Sequence, residues 1–498
     1  IILIITVFIT LCLQGQISPD FEPCIGSGGT SGLNNLRLLL AESTDGLNWN
    51  KSNIVLADRS SVADGLVLPS GRILVYYVTG CIEVGGEEQM ANHIKVAISD
   101  NNGISWTYKN VEFENIPSGG TLPVDPNVVL LENNDIFMLA TIDPDQSGTQ
   151  KPCSYSAIST DGGFTFTLSD SPVYSVTDTD VLDPENYRFA DGNWRLWAGG
   201  IPGQNMTGFS DNEALSFEDE GLFCSATNTD NPLECYVAAD VMLFDESTFK
   251  MYAFGTSPNG QIIRSLTSAN GDAWTLDPDI VLSVESEGGV EESDVWAPTV
   301  VRTINNNYLM VYETRIPSSA STTFSYIQTL QNDTTIVVGD SIEFIARSYF
   351  DDNSIREITY FCQWNSTSSD VALINEFGQL TAINQGQTYV YIEYEENFSD
   401  SVLITVNNGT NFPIAKTDDF GVSIYPNPTS DIFYIVPKKD NNRISFEITN
   451  YFGQTILSGI ISTQTEINIE QFNPGLYYIR VVDEQKYSFM KIIKYNSK

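Results

Sequence analysis

The chain has 498 residues, 42% of them hydrophobic and 11% aromatic, and carries 24 basic against 64 acidic side chains for a formal charge of −40. That apolar content is ample for packed cores and argues against disorder, and the length suggests roughly three domains. So negative a surface repels phosphate backbones and anionic bilayers, which excludes nucleic acid and membrane surfaces as partners.

The sequence opens on IILIITVFITLCLQGQ, a short apolar run closing on small and polar residues. This reads as the core and cleavage zone of a secretory leader over residues 1–17. It is short for a membrane span, and no later run is long and apolar enough to make one, so no span is expected. Of seven cysteines, Cys12 leaves with the leader, and Cys24, Cys81, Cys153, Cys224, Cys235 and Cys362 remain. An even number in an exported chain permits disulfides. Cys224 and Cys235 bracket an Asn/Asp-rich loop and are the expected pair. Their spacing, with the lone His93, fits no zinc pattern, so neither metal nor cofactor is expected.

From Val62 onward a hairpin recurs: VADGLVLPSGRILVYYV, PVDPNVVLLENNDIFMLA, VLDPENYRFADGNWRLWA, AADVMLFDESTFKMYAF and WAPTVVRTINNNYLMVYE. Aligned on the small or acidic residue before each strand, the copies fall at Asp64, Asp125, Asp183, Asp240 and Ala297, with gaps of 61, 58, 57 and 57 residues. A near-constant period with a hairpin per unit is the signature of a radially repeated β architecture. A second repeat runs out of phase: STDGLNW, SDNNGISW, STDGGFTF, SDNEALSF and SANGDAW, from Ser43, Ser99, Ser159, Ser210 and Ser268. Each is a polar turn closed by an Asp or Asn side chain, usually with a glycine at positive φ. These turns resemble the Asp boxes of sialidases and other propellers, whose role is mainly structural.

Together the two repeats predict four strands per unit, in the first unit near Gly65–Leu68, Ile73–Val78, Ile94–Ile98 and Ser105–Val111. The chain begins with an outer strand pair, LRLLLAES and LNWNKS, and the last repeat at Ala297–Thr314 lacks one. Pairing the two hides edges that an open sheet would expose. The expected fold class is all-β, with a five-bladed β-propeller over residues 28–320 followed by two β-sandwiches.

Residues 325–408 read as about seven short alternating strands, as in an immunoglobulin-type sandwich. VGDSIEF, the YFDDNS turn, the Trp364–Asn365 strand and GQLTAINQGQTYVYI resemble the group 2 bacterial Ig-like domains. That resemblance implies a spacer or adhesive module. Residues 419–498 are charge-neutral, with eight acidic and eight basic side chains. Tyr425-Pro426-Asn427-Pro428, the Asn450–Gly453 turn, Pro474-Gly475-Leu476-Tyr477 and the final strand with Lys491 and Lys494 resemble the type A C-terminal sorting domain of the type IX secretion system. The resemblance implies a Bacteroidota-like Gram-negative source, the type IX secretion machinery as a partner, and secretion or display at the outer cell surface.

In a propeller the inner strand of each blade lines the axis, so Asp64, Asp125, Asp183 and Asp240 are expected to crowd one funnel beside Trp296. Crowded carboxyls cannot all ionise easily, and glycosidic-bond cleavage needs one acid and one base. The D-P or D-G starts and aromatic second strands resemble the five-bladed arabinanase/β-xylosidase and invertase-like glycoside hydrolases. That resemblance implies Asp64 as base, Asp125 as tuning residue and an acid in the third blade, where Asp183 stands with Glu185 two positions on. Asp240, Trp296 and Tyr236 are candidate substrate contacts, and an extracellular polysaccharide or glycan is the expected partner. The alternative is a non-catalytic glycan-binding propeller. The same aspartates also suit plain turn chemistry. Arg315-Ile316-Pro317 looks like a sialidase element but falls at the end of the propeller, and sialidases need six blades.

Overall fold

A computed structural model describes residues 32–494 except 85–86, 147, 202–203, 285–289, 318–323, 396, 400, 408–421, 428, 438–443, 450–454, 462, 473–474 and 484–485. The leader with Cys12, Cys24, and the Pro428, Asn450–Gly453 and Pro474 markers lie outside the described residues. The described chain is all-β apart from one short 3-10 turn at Gly32–Asn35. It divides into two compact units, one ending at Val406 and the other running from Asn407.

Five sheets, each built on four antiparallel strands, form the propeller of the first unit. Blade 1 comprises Ser60–Val67, Ile73–Val84, Glu87–Ser99 and Thr107–Asn110. The inner and second strands of the next three blades are Val124–Leu130 and Ile136–Ile142, Leu182–Arg188 and Trp194–Ile201, and Val237–Asp245 and Thr248–Ser257. Blade 5 pairs Val295–Arg302 and Tyr308–Arg315 with Leu36–Ser43 and Asn50–Asp58 from the start of the chain. The closing ladder runs unbroken from Leu36 opposite Arg315 to Ser43 opposite Tyr308. Inner strands of successive blades touch in a ring, blade 5 meeting blade 1. Apolar side chains pack between neighbouring blades. Leu74, Ile94 and Val96 of blade 1 meet Ile136, Met138 and Ala140 of blade 2, for example.

The five Ser-x-Asp/Asn turns sit at equivalent corners. In the first, Asp45 Oδ1 accepts the N–H groups of Leu47 (2.9 Å) and Asn48 (2.8 Å), so one side chain caps the whole turn. At Gly163, where φ is +99°, an added Cβ would sit 2.0 Å from the Tyr76 hydroxyl, so only glycine fits.

The region after the propeller departs from a free-standing spacer. Ile355–Glu357 adds in parallel to Asn50–Asp58, with Ile54 opposite Ile355, and Ala346–Phe350 and Phe324–Thr329 continue the same sheet to seven strands. An outer blade strand with unpaired ladder groups recruits any strand that can pair with it. Two buried arginines reinforce the junction. Asp58 bonds Arg37 Nε at 2.6 Å and Arg356 Nη2 at 2.9 Å. Glu357 Oε2 accepts the Trp106 N–H of blade 1 at 3.0 Å. The remaining strands of this region form two further sheets around Phe344, Leu380, Val390 and Ile404.

The second unit holds a three-stranded and a four-stranded antiparallel sheet around Phe433, Ile435, Ile448, Ile479 and Ile492.

Candidate functional site

The innermost strand of every blade is a sheet edge, so its axis-facing N–H groups have no ladder partner and must be satisfied otherwise. Side chains of the preceding blade satisfy them. Asp64 Oδ2 accepts the Val128 N–H (2.5 Å), Asn127 Oδ1 the Asn186 N–H (3.0 Å), and Glu185 Oε1 the Val241 N–H (2.9 Å). Asp240 accepts the Val300 N–H, and Thr299 Oγ1 closes the circle on the Gly65 N–H at 3.0 Å. Bonds within the ring tighten it. Asn127 Nδ2 donates to Asp64 (3.0 Å) and Glu185 (2.6 Å), and Thr299 Oγ1 donates to Asp64 Oδ1 (2.9 Å).

This ring corrects the alignment drawn from sequence. Asp64 and Asp240 share a level with Asn127, Glu185 and Thr299, whereas Asp125 and Asp183 belong two residues earlier, level with Val62 and Ala297. Every inner strand is bulged between the two levels. Four residues of the upper level adopt left-handed φ: Val62 at 41°, Asp125 at 51°, Asp183 at 46° and Ala297 at 40°. Side chains alternate along a strand, so a two-residue slip keeps every apolar residue on its proper face and leaves no trace in the hydrophobic pattern.

Above the ring opens a cavity of about 360 Å³, lined by Asp183, Glu185, Glu313, Trp296, Phe254 and Gln261 among others, with Asp64 and Asn127 in its floor. A second cavity of about 330 Å³ lies on the other side of the ring and shares Asp64, Asn127 and Glu185. Asp183 is exposed to the upper cavity but surrounded by protein on its other sides. That desolvation, with the charges of Asp125 and Glu313, holds its carboxyl well above the usual range. Asp125 also titrates high because of burial, opposed by the facing Thr141 hydroxyl and by the Asp183 N–H at 3.5 Å. Burial pushes Glu313 up to about 7 against hydrogen bonds from Ser61 Oγ (2.6 Å), the Val62 N–H (3.0 Å) and the Trp296 side chain. Within the ring, burial raises Asp64 to about 7 and lifts Glu185 and Asp240 well above their ordinary values.

Of the proposed aromatic contacts, Trp296 stands on the cavity wall with the Arg315 guanidinium 5.3 Å from its ring centre. Tyr236 does not reach the cavity. It is fully buried in blade 4, with its hydroxyl 3.1 Å from Thr229 Oγ1 beneath the loop that the Cys224–Cys235 disulfide closes. Trp194 and Trp197 are likewise buried between blades. Cys153 and Cys362 are buried free thiols. Among the described residues no three His, Cys, Asp or Glu side chains are grouped to hold a metal ion. Sequence reasoning missed Asn127, Thr299 and Glu313. The first two lie two positions after a flagged residue, and Glu313 comes from a second strand.

Residues 423–495 match the family model of the secretion system C-terminal sorting domain. A terminal domain of this kind marks the chain for secretion or outer-surface display. A comparison with curated proteins finds no match. Among solved structures, a Dyadobacter fermentans protein of unknown function shares 15% identity over 58% of this chain and 87% of its own, with a TM-score of 0.40. An endo-arabinase from Bacteroides thetaiotaomicron shares 15% identity over 52% of this chain and 94% of its own (TM-score 0.38). An α-L-arabinofuranosidase from Podospora anserina shares 12% identity over 53% of this chain and 86% of its own (TM-score 0.39).

Proposed function

We propose that the chain is an exported carbohydrate-active propeller whose upper cavity cleaves glycosidic bonds of extracellular glycans. One observation carries this reading: Asp183 lines the cavity beside Glu313, and desolvation, with the charges of Asp125 and Glu313, holds its carboxyl well above the usual carboxylate range. A protonated acid beside an ionisable carboxylate is the pairing that glycoside hydrolysis requires. Asp183 is then the proton donor and Asp125 its tuning neighbour, while Trp296 offers a ring face on the wall. Asp64 and Glu185, expected as base and alternative acid, stand at the floor with both oxygens of each already accepting hydrogen bonds. That saturation favours a second reading, a glycan-binding funnel without turnover. Reducing-sugar release from plant and animal polysaccharides separates the two. Under the hydrolase reading Asp183→Asn loses about 10²–10⁴-fold in rate while melting like the parent. A wild type that binds glycans on an array but releases no sugar overturns hydrolysis in favour of binding.

A further inference from the structure

The five blades are internal copies, so a residue type that recurs around the ring answers a need of the fold, and one that occurs once does not. The second strand of each blade places a residue opposite the one that precedes the bulge: Val78, Thr141, Gly199, Ala253 and Glu313. Four blades manage without charge at this position. Glu313 is 1% exposed, and among the described residues no cation pairs with it. Arg315, two positions along, is held instead by Asp294 at 3.0 Å. Taking a carboxylate out of water without an ion partner costs several kcal/mol. A residue that violates the local rule at such expense belongs to a site.

Its surroundings indicate the task. Glu313 Oε2 takes the Ser61 hydroxyl and the N–H of Val62, whose φ of 41° is strained for a β-branched residue. The Trp296 side chain donates a third bond. Donors aimed at a carboxylate favour its ionised form, and among the described residues none donates to the cavity-facing Asp183 carboxyl. Two carboxyls of one cavity are thus set apart, Glu313 with donors aimed at its carboxylate and Asp183 without them.

Resting on the hydrolase reading above, we infer that Glu313 is the general base of the cavity, paired with Asp183 as acid. The Glu313 carboxylate takes a proton from water as the water oxygen bonds the anomeric carbon. The glycosidic C–O bond breaks with its electron pair on the leaving oxygen, and that oxygen takes the Asp183 proton. A hemiacetal and an alcohol result, and exchange with solvent returns a proton from Glu313 to Asp183.

The test uses the full chain on neutral polysaccharides. Glu313→Gln should melt within a few degrees of wild type and lose about 10³-fold in turnover. Azide added to Glu313→Ala should restore turnover and give a glycosyl azide of inverted configuration, which a merely structural role would not produce. An active wild type with Glu313→Gln within tenfold of it overturns the base assignment and leaves the hydrolase reading standing. A wild type that releases nothing overturns that reading, and the base with it. Should the Gln variant unfold, Glu313→Asp keeps the charge but shortens its reach. A folded Asp variant with undiminished turnover also overturns the assignment.

Discussion

Replacing Asp58 by Asn should destabilise the first unit far more than its place at the end of an outer blade strand suggests. Asp58 is 2% exposed, and its carboxylate binds Arg37 through 2.6 Å and 3.3 Å bonds and Arg356 through a 2.9 Å bond. Arg37 and Arg356 are themselves buried. Without the carboxylate, Arg37 keeps a 3.4 Å contact to the Val290 carbonyl, too long to replace what was lost. Breaking a buried pair by removing one partner costs about 3–5 kcal/mol, because a charge is left without compensation. That is roughly two to nearly four powers of ten in the unfolding constant. The comparator is Arg72→Ala, which breaks the exposed pair with Asp100 and should cost under about 1 kcal/mol. Urea unfolding of both variants decides the matter, and the Asp58→Asn curve should stay a single transition because propeller and following strands share one sheet. Equal midpoints for the two variants would refute the reasoning. So would a first transition confined to residues 324–406.

Two further outcomes follow from burial and backbone geometry. Asp64, Glu313 and Glu357 titrate near 7 when folded, against 3.8 for Asp and 4.5 for Glu in their ordinary state, so the folded chain binds more protons between those values. Stability should therefore fall as pH rises from about 4 to 7 and level off above; His93, pushed down to about 4 by burial, opposes this in the same window, the carboxyls held low at Asp161, Asp277 and Asp294 oppose it mainly below that window, and a melting temperature that climbs steadily from pH 5 to 8 would contradict the argument. Gly163→Ala meets the Tyr76 hydroxyl as well as a left-handed φ and should cost about 1–3 kcal/mol more than Gly148→Ala, where φ is +73° and nothing lies within 4 Å; equal melting points would refute the packing account.

The blade count, the closing role of Leu36–Asn50 and the character of the terminal domain were legible in the sequence. Each rests on local chemistry: alternation along a strand, Asp and Asn turn closure at Asp45 or Asp161, and ordered turn markers. The tiers of the axis were not legible. A shift of two residues preserves alternation, so only the bulges at Val62, Asp125, Asp183 and Ala297 decide that Asp64 stitches blades while Asp183 faces the cavity. Tyr236 stands just ahead of one inner strand and Trp296 at the start of another, and packing alone puts one in a blade core and the other on the cavity wall. The seven-stranded sheet was equally hidden, since Asp58 and Arg356 meet across 298 positions of chain. Local pattern determines which residues form strands and turns. Which backbone edge needs a partner, and which distant carboxylate or arginine supplies it, is decided only when the ring closes and water leaves the interface.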